Sequence, residues 1–224
     1  MIRSVIFDMY ETLITHFQHP LYFGAQIAED AGIPVDSFLE PWRATEYDRT
    51  LGKVRLEEVL ENIFRENNCC SEELIKTVTQ KRIDTKKECF RHLHPQILPM
   101  LAGLRARGVS VGLISNCYFE EAEVIRESEL FQYFDAVFLS CEQGIQKPDE
   151  EIFKRCMEEL SVKPEECLYV GDGGSYELET AQMLGMKAAQ AVWYLREDTE
   201  QPSGRKPDFL QLENPFDILS CLDT

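Results

Sequence analysis

The sequence has no apolar run of about 18 residues, so no membrane-spanning helix is expected. Its first apolar stretch is cut short by Asp8, too soon for the core of a secretion signal, and MIRSVIFDMY reads as a first strand instead. Basic residues are scarce: 23 Lys and Arg stand against 40 Asp and Glu, a formal net charge of −17. A field of that sign repels phosphate backbones and anionic lipid, so neither nucleic acid nor a membrane is an expected partner. An anionic small molecule would need a local cationic pocket or a bound metal. The eight cysteines form no C-x-x-C pair, and Cys69 and Cys70 are adjacent, too close for an ordinary disulfide. Free thiols in a reducing cytoplasm are the expectation. His16, His19, His92 and His94 show no zinc-site spacing with them. Phosphate-loop, zinc-protease and serine-hydrolase signatures are absent, and GDGG (171–174) fails as a dinucleotide fingerprint because Tyr176 occupies the last glycine position.

Two patterns divide what is present. From about residue 94, strands and helices alternate. VSVGLIS (109–115), AVFLS (136–140), CLYVGD (167–172) and AAQAVWY (188–194) read as buried parallel strands, with amphipathic helices between them. One of these helices opens in PDEEIFKRCMEEL, with Pro148 at its first position. Such alternation argues for a doubly wound parallel α/β sheet. Residues 15–93 lack comparable β runs and read as about four amphipathic helices, near 20–32, 36–50, 55–67 and 71–91. In the third, Leu56, Val59, Leu60, Ile63 and Phe64 fall on one stripe; Ser71 before Glu72 and Glu73 is a good start for the fourth. The expected division is a core of residues 1–14 plus 94–224 and an inserted helical domain of 15–93. Residues 197–208 read as a loop.

Ligands of open parallel sheets gather at the carboxyl ends of the strands. Asp8, Ser115, Ser140 and Asp172 stand at those ends, and Lys147 follows the Ser140 strand in GIQKPD. Two carboxylates there suit a hard cation such as Mg²⁺, while Ser115 and Lys147 are donors for anionic oxygens. Asp8 is then placed to attack as a covalent nucleophile, with Lys147 neutralising charge beside it.

VIFDMYET with Asp8 and Thr12, LISN with Ser115, QKPD with Lys147, and YVGDGGSYELETAQMLGM with Asp172 occur in that order. Together they resemble the four motifs of the haloacid dehalogenase superfamily, and the helical insert resembles its mobile cap. The resemblance implies a Rossmann-like core and Mg²⁺-dependent hydrolysis of a small phosphorylated metabolite through an aspartyl-phosphate. It makes Asp8, the Tyr10 main-chain carbonyl and Asp172 metal ligands, with Glu177 acting through a metal-bound water. Thr12, Ser115, Asn116 and Lys147 become the phosphate-binding residues. Arg43 and Arg49 are candidates to reach the substrate from the insert.

Two positions depart from the pattern: Glu177 stands where aspartate is usual, and Tyr10 replaces the aspartate that family phosphatases use as general acid/base. Such an acid contributes about 10²–10⁴-fold, so Tyr10 predicts slow turnover of poor leaving groups unless water or Glu11 stands in. Tyrosine in this slot resembles the dehalogenase branch, which makes a carbon–halogen hydrolase the first alternative. A binding or regulatory module of low turnover is the second. These motifs fix neither the substrate nor an oligomeric state.

Overall fold

The run SVIF forms β1 (Ser4–Phe7), buried throughout. Val5 and Phe7 point into one apolar cluster and Ile6 into another, the period-two alternation of a strand covered on both faces. In the computed structural model, which describes residues 1–195 and 204–222, five more strands complete the sheet. They are β2 (Ser110–Ser115), β3 (Ala136–Leu139), β4 (Cys167–Gly171), β5 (Lys187–Ala191) and β6 (Leu210–Leu212). All pairings are parallel, in the order β3-β2-β1-β4-β5-β6. Between β1 and β2 lie α1 (Gly24–Ala31), α2 (Val35–Ala44), α3 (Glu46–Thr50), α4 (Leu56–Glu66), α5 (Glu72–Cys89) and α6 (Ile97–Ala106). Later in the chain come α7 (Phe119–Glu127), α8 (Ser140–Gln143), α9 (Glu150–Glu159), α10 (Glu177–Met183) and α11 (Asp217–Ser220).

Helices cover both faces. Ile97, Met100, Leu101 and Leu104 of α6 join Val5 and Phe7 in one cluster. Ile152, Phe153, Cys156 and Met157 of α9, with Leu178 and Ala181 of α10, close on Ile6 from the other side. This is the expected doubly wound α/β sheet. Strand order reverses between β1 and β4, where such sheets open a crevice. Asp8, the first residue past β1, donates its amide to the Val170 carbonyl at 2.9 Å, so the chain ends leading to Asp8 and Asp172 are neighbours.

Helices α1, α2, α4 and α5 build a further apolar cluster around Phe38, Trp42, Leu60 and Phe64. All five residues of the α4 stripe are buried, each worth about 1.5–3 kcal/mol relative to exposure. Ser71 Oγ accepts from the Leu74 amide at 3.1 Å and caps α5 as its sequence predicts.

The structure differs from the sequence reading at several boundaries. The expected helix over 36–50 is divided into α2 and α3, because Thr45 Oγ1 and Arg49 Nη2 both bond to the Trp42 carbonyl (2.9 and 3.1 Å) and draw it from the helical ladder. Pro148 is not the first residue of α9: Asp149 caps that helix through the Glu151 amide (2.9 Å), and Pro148 precedes the cap. The fifth strand ends at Ala191. Beyond it, Trp193 Nε1 and Tyr194 Oη donate to the Thr12 and Leu13 carbonyls and turn the chain toward the loop after β1. The three-residue β6 and the short α11 were not expected. Of the predicted loop, residues 197–203 lie outside the described residues. None of the eight cysteines forms a disulfide, and no described helix is long and apolar enough to cross a membrane.

Candidate active site

Two strand ends, a loop and a helix start converge at the reversal. Asp8 follows β1, Asp172 follows β4, Glu177 opens α10, and Lys147 lies in the loop before α9. Lys147, only 3% exposed, directs Nζ to Asp8 Oδ1 (2.6 Å), Glu177 Oε2 (2.5 Å) and Tyr169 Oη (3.2 Å). Glu177 also accepts from Tyr169 Oη (2.9 Å) and the Gly173 amide (3.1 Å). Gly173 holds φ at 94°, a conformation open to glycine, and lets the chain fold back so that Gly174 N reaches Asp172 Oδ1 at 2.9 Å. Glu11, Ser175 and Tyr176 sit at φ 52–57° beside this cluster, three strained non-glycine positions at one site.

Burial pushes the Asp8 carboxyl up to about 8; the nearby Glu177 and Asp172 add to this, and Lys147 opposes it. Asp172 rises to about 6, again through burial first and then Glu177. Burial would lower Lys147, but Asp8 and Glu177 outweigh it and hold the ammonium protonated. One cation thus pairs with two of three crowded carboxylates. Oxygens of Asp8, Asp172 and Glu177 all lie within 4.8 Å of one another, a hard-oxygen donor set short of positive charge, which fits a divalent cation.

The cluster forms the floor of a cleft of about 920 Å³. Asn116 lines it, but its side chain clasps the Lys147 backbone: Oδ1 accepts from Lys147 N (2.8 Å) and Nδ2 donates to Lys147 O (3.0 Å). Thr12 and Ser115 are wholly buried behind the floor, and neither hydroxyl has a partner among the described residues. Ser140, expected at a strand end, opens α8 instead. Its hydroxyl accepts from Cys117 N (2.9 Å) and donates to Cys117 O (3.2 Å), pinning the loop after β2. Arg43 is exposed and lines the cleft. Arg49 lies behind the wall, its guanidinium 3.8 Å from the Trp42 ring centroid and 4.4 Å from that of Tyr118.

Tyr10 stacks on His16, with ring centroids 4.6 Å apart. Burial raises its phenol well above the ordinary range, helped by Glu121, Cys117 and Cys89 and opposed by Arg82. Lys86 of α5 stands 5.3 Å from the Tyr10 ring centroid. Glu11 accepts from Thr15 Oγ1 (2.5 Å) and the His16 amide (3.0 Å), and faces His16 Nδ1 (3.2 Å). Burial opposes ionisation of Glu11, but these bonds hold its carboxyl below the usual range, so it carries no proton to give. The Lys86 ammonium, which can only donate, lies 2.7 Å from His16 Nε2 and leaves the ring proton on Nδ1. Burial and then Lys86 push His16 down to about 4, a neutral ring.

Sequence reasoning missed what holds this side together. Arg82 pairs with Glu120 (2.8 Å) and Glu121 (3.3 Å), and Lys86 with Glu121 (2.7 Å), all four buried. The bonds join α5 to α7. A faint signal exists: the buried stripe of α5 is Val78, Arg82, Lys86 and Cys89, two cations at helical spacing among apolar positions. Tyr169 was also missed, although a phenol inside an otherwise apolar strand is a legible anomaly.

The profile of a family described as haloacid dehalogenase-like hydrolase matches residues 2–185. A glyceraldehyde 3-phosphate phosphatase of Methanopyrus kandleri is 26% identical over 239 residues, covering 99% of this chain and 97% of that protein. The crystal structure of a 2-haloacid dehalogenase from Pseudomonas syringae superposes with a TM-score of 0.73 at 23% identity, over 100% of this chain and 99% of that one. That of a haloacid dehalogenase family enzyme from Bacteroides thetaiotaomicron, in complex with magnesium and inorganic phosphate, gives 0.65 at 19% identity, over 85% of this chain and 94% of that one.

Proposed function

Because the chain belongs to the haloacid dehalogenase-like hydrolase family, we propose that it releases phosphate from a small phosphorylated metabolite in a Mg²⁺-dependent reaction. The observation that carries this reading is the group of three crowded carboxylates, of which buried Asp8 and Glu177 share one lysine. Asp8, the Tyr10 carbonyl and Asp172 would hold the ion, with Glu177 acting through a water. When bound, Mg²⁺ supplies the charge neutralisation that phosphoryl oxygens need in so acidic a site. Asp8 Oδ forms a bond to phosphorus as the bond to the leaving oxygen breaks. Water then cleaves the aspartyl-phosphate, restoring the carboxylate. Lys147 steadies the developing charge, and Asn116 keeps Lys147 in place. The unpartnered hydroxyls of Thr12 and Ser115 suit the same oxygens. Residues 15–93 act as a cap over the core of 1–14 plus 94–224, with Arg43 at the cleft mouth. Eight cysteines without a disulfide suit a cytoplasmic setting.

In this reading Tyr10 gives no proton to the leaving oxygen, so that oxygen departs unaided. Mg²⁺-dependent phosphate release should be about 10²-fold or more faster from phenyl phosphate than from a sugar phosphate, the range in which an acid normally contributes. Equal or reversed rates would refute this. Metal-free chloride release from a 2-chloro acid would establish the dehalogenase instead.

Gly171 gives an independent check. A Cβ there would stand 2.0 Å from Glu177 Oε1, so Gly171→Ala evicts that carboxylate. Mg²⁺ affinity measured by calorimetry should fall about 10–100-fold, as for other outer ligands. Unchanged affinity would remove Glu177 from the metal site.

A further inference from the structure

Beyond its exposed first residue, β5 is alanine except for Gln190, an amide only 1% exposed. A buried amide costs free energy unless its two N–H donors and its oxygen find partners. Here all are engaged. Nε2 donates to the carbonyls of Asp172 (2.7 Å) and Gly204 (2.8 Å), and Oε1 accepts from the Lys206 amide (2.7 Å) and Gln211 Nε2 (2.9 Å). Carbonyls only accept and a peptide N–H only donates, so these partners fix which way the amide faces. Gln190 stands opposite Gly171 in the β4–β5 register, and its side chain reaches the next residue along, Asp172. The turn that carries Asp172 has little stiffness of its own, because Gly173 and Gly174 follow directly. Side chains hold its polar groups instead. The Gly173 amide goes to Glu177 Oε1 (3.1 Å), the Gly174 amide to Asp172 Oδ1 (2.9 Å) and the Asp172 carbonyl to Gln190. The first two bonds stay within the turn and the start of α10; the third ties it to the sheet. Lys206 packs on the same turn: a Cβ on Gly173 would meet its Cε at 2.9 Å, and its Nζ donates to Glu179 Oε1 at 2.5 Å.

We infer that Gln190 is a positioning residue of the metal site: by fixing the Asp172–Gly173 peptide, it sets how the Asp172 carboxylate is presented to a divalent cation. This deepens the proposed function and rests on its reading of Asp172 as a ligand. If the Asp172 carbonyl swings, the peptide turns with it and the Gly174 amide leaves Oδ1. The carboxylate then loses the bond that orients it. Partners one step behind a ligand typically account for about 10–100-fold in metal affinity. The inference also makes the segment from Gly204 to Gln211 part of the site's support, although it lies far along the chain from the motifs. Gln211 supplies the contrast. Its Nε2 donates to Gln190 Oε1 (2.9 Å) and to the Lys206 and Phe209 carbonyls (2.8 and 3.1 Å). It secures the same segment, but none of these bonds reaches Asp172. Were Gln190 merely cement between β5 and that segment, losing either glutamine would have the same consequences.

The test compares wild type, Gln190→Met and Gln211→Met by calorimetric Mg²⁺ titration and by thermal melting. Both substitutions should lower the melting temperature, since each leaves backbone groups without a partner. Gln190→Met should in addition weaken Mg²⁺ binding about tenfold or more, whereas Gln211→Met should stay within about twofold of wild type. Should Gln190→Met fail to fold, Gln190→Asn takes its place with the same expected loss. It keeps the amide but holds it one methylene short of the Asp172 carbonyl. Unchanged Mg²⁺ affinity in the Gln190 variant, or an equal loss in both variants, overturns the inference while leaving the metal site intact. Wild-type protein that binds no Mg²⁺, or binds it as tightly after Asp172→Asn, brings down the metal reading and this inference together.

Discussion

Asp8→Asn should abolish phosphate release, a fall on the order of 10⁴-fold or more in kcat as expected for a missing nucleophile, and should at the same time make the metal-free protein more stable. The two effects share one cause. Asp8 is a carboxylate forced among Glu177 and Asp172 in a buried site, and its pKa of about 8 means that the folded state resists its ionisation. In the unfolded chain Asp8 ionises near 3.8. Between those values the unfolded state has released a proton that the folded state retains, so stability falls as pH rises from about 4 to 8. Asparagine removes that penalty, keeps the shape, and still offers an oxygen to Lys147 Nζ, which lies 2.6 Å away. The gain should be a few kcal/mol near pH 8 without metal, and it should shrink when Mg²⁺ is added, because the ion relieves the same crowding in the wild type. Phosphate release and thermal melting with and without Mg²⁺ decide the matter. Activity within a hundredfold of wild type (about 3 kcal/mol of barrier) would show that Asp8 is not the nucleophile, and a melting temperature that drops would show that its ionisation does not burden the fold.

Arg82→Met should have the largest effect on stability. It strips Glu120 and Glu121 of the guanidinium that reaches both, leaving Lys86 alone against two buried carboxylates. Orphaning a buried charge in this way costs about 3–5 kcal/mol. The companion variant Arg82→Met/Glu120→Gln keeps the Lys86–Glu121 pair and removes the uncompensated anion, so it should recover most of the loss. Burial opposes ionisation of Glu121, and in the wild type Lys86 and Arg82 together hold it down to about 2; without Arg82, Lys86 alone works against that burial. Urea denaturation of the two variants and wild type checks this, read as a coupling energy. A loss below about 1 kcal/mol for Arg82→Met, the scale of an exposed pair, would show that water reaches the network.

The floor of the site was legible because strand ends are legible. An apolar β run stopped by Asp8, Ser115 or Asp172 marks both the strand and the edge where its last side chain emerges, and short motifs fix Lys147 relative to them. The walls were not legible. Arg82 and Lys86 carry no motif, and charge on a helix predicts solvent rather than a buried partner on another helix. Tyr10 was visible as a substitution, but the sequence holds no signal that it stacks on His16 or lies against Lys86 of α5. Boundaries failed where one side chain intervened: Thr45 broke a helix that its apolar spacing would have continued, and Asp149 took a cap that Pro148 had seemed to pre-empt. The three residues of β6 were too few for alternation to register.

Glu177 joins three parts of the chain through one carboxylate: the phenol of Tyr169 from β4, the ammonium of Lys147 from the loop before α9, and the Gly173 amide from the turn into α10. Mechanical integrity and the proposed chemistry therefore depend on the same oxygens. A variant library directed at these residues would mostly yield broken molecules, whereas one directed at the aromatic lining could redirect selectivity without touching the joint.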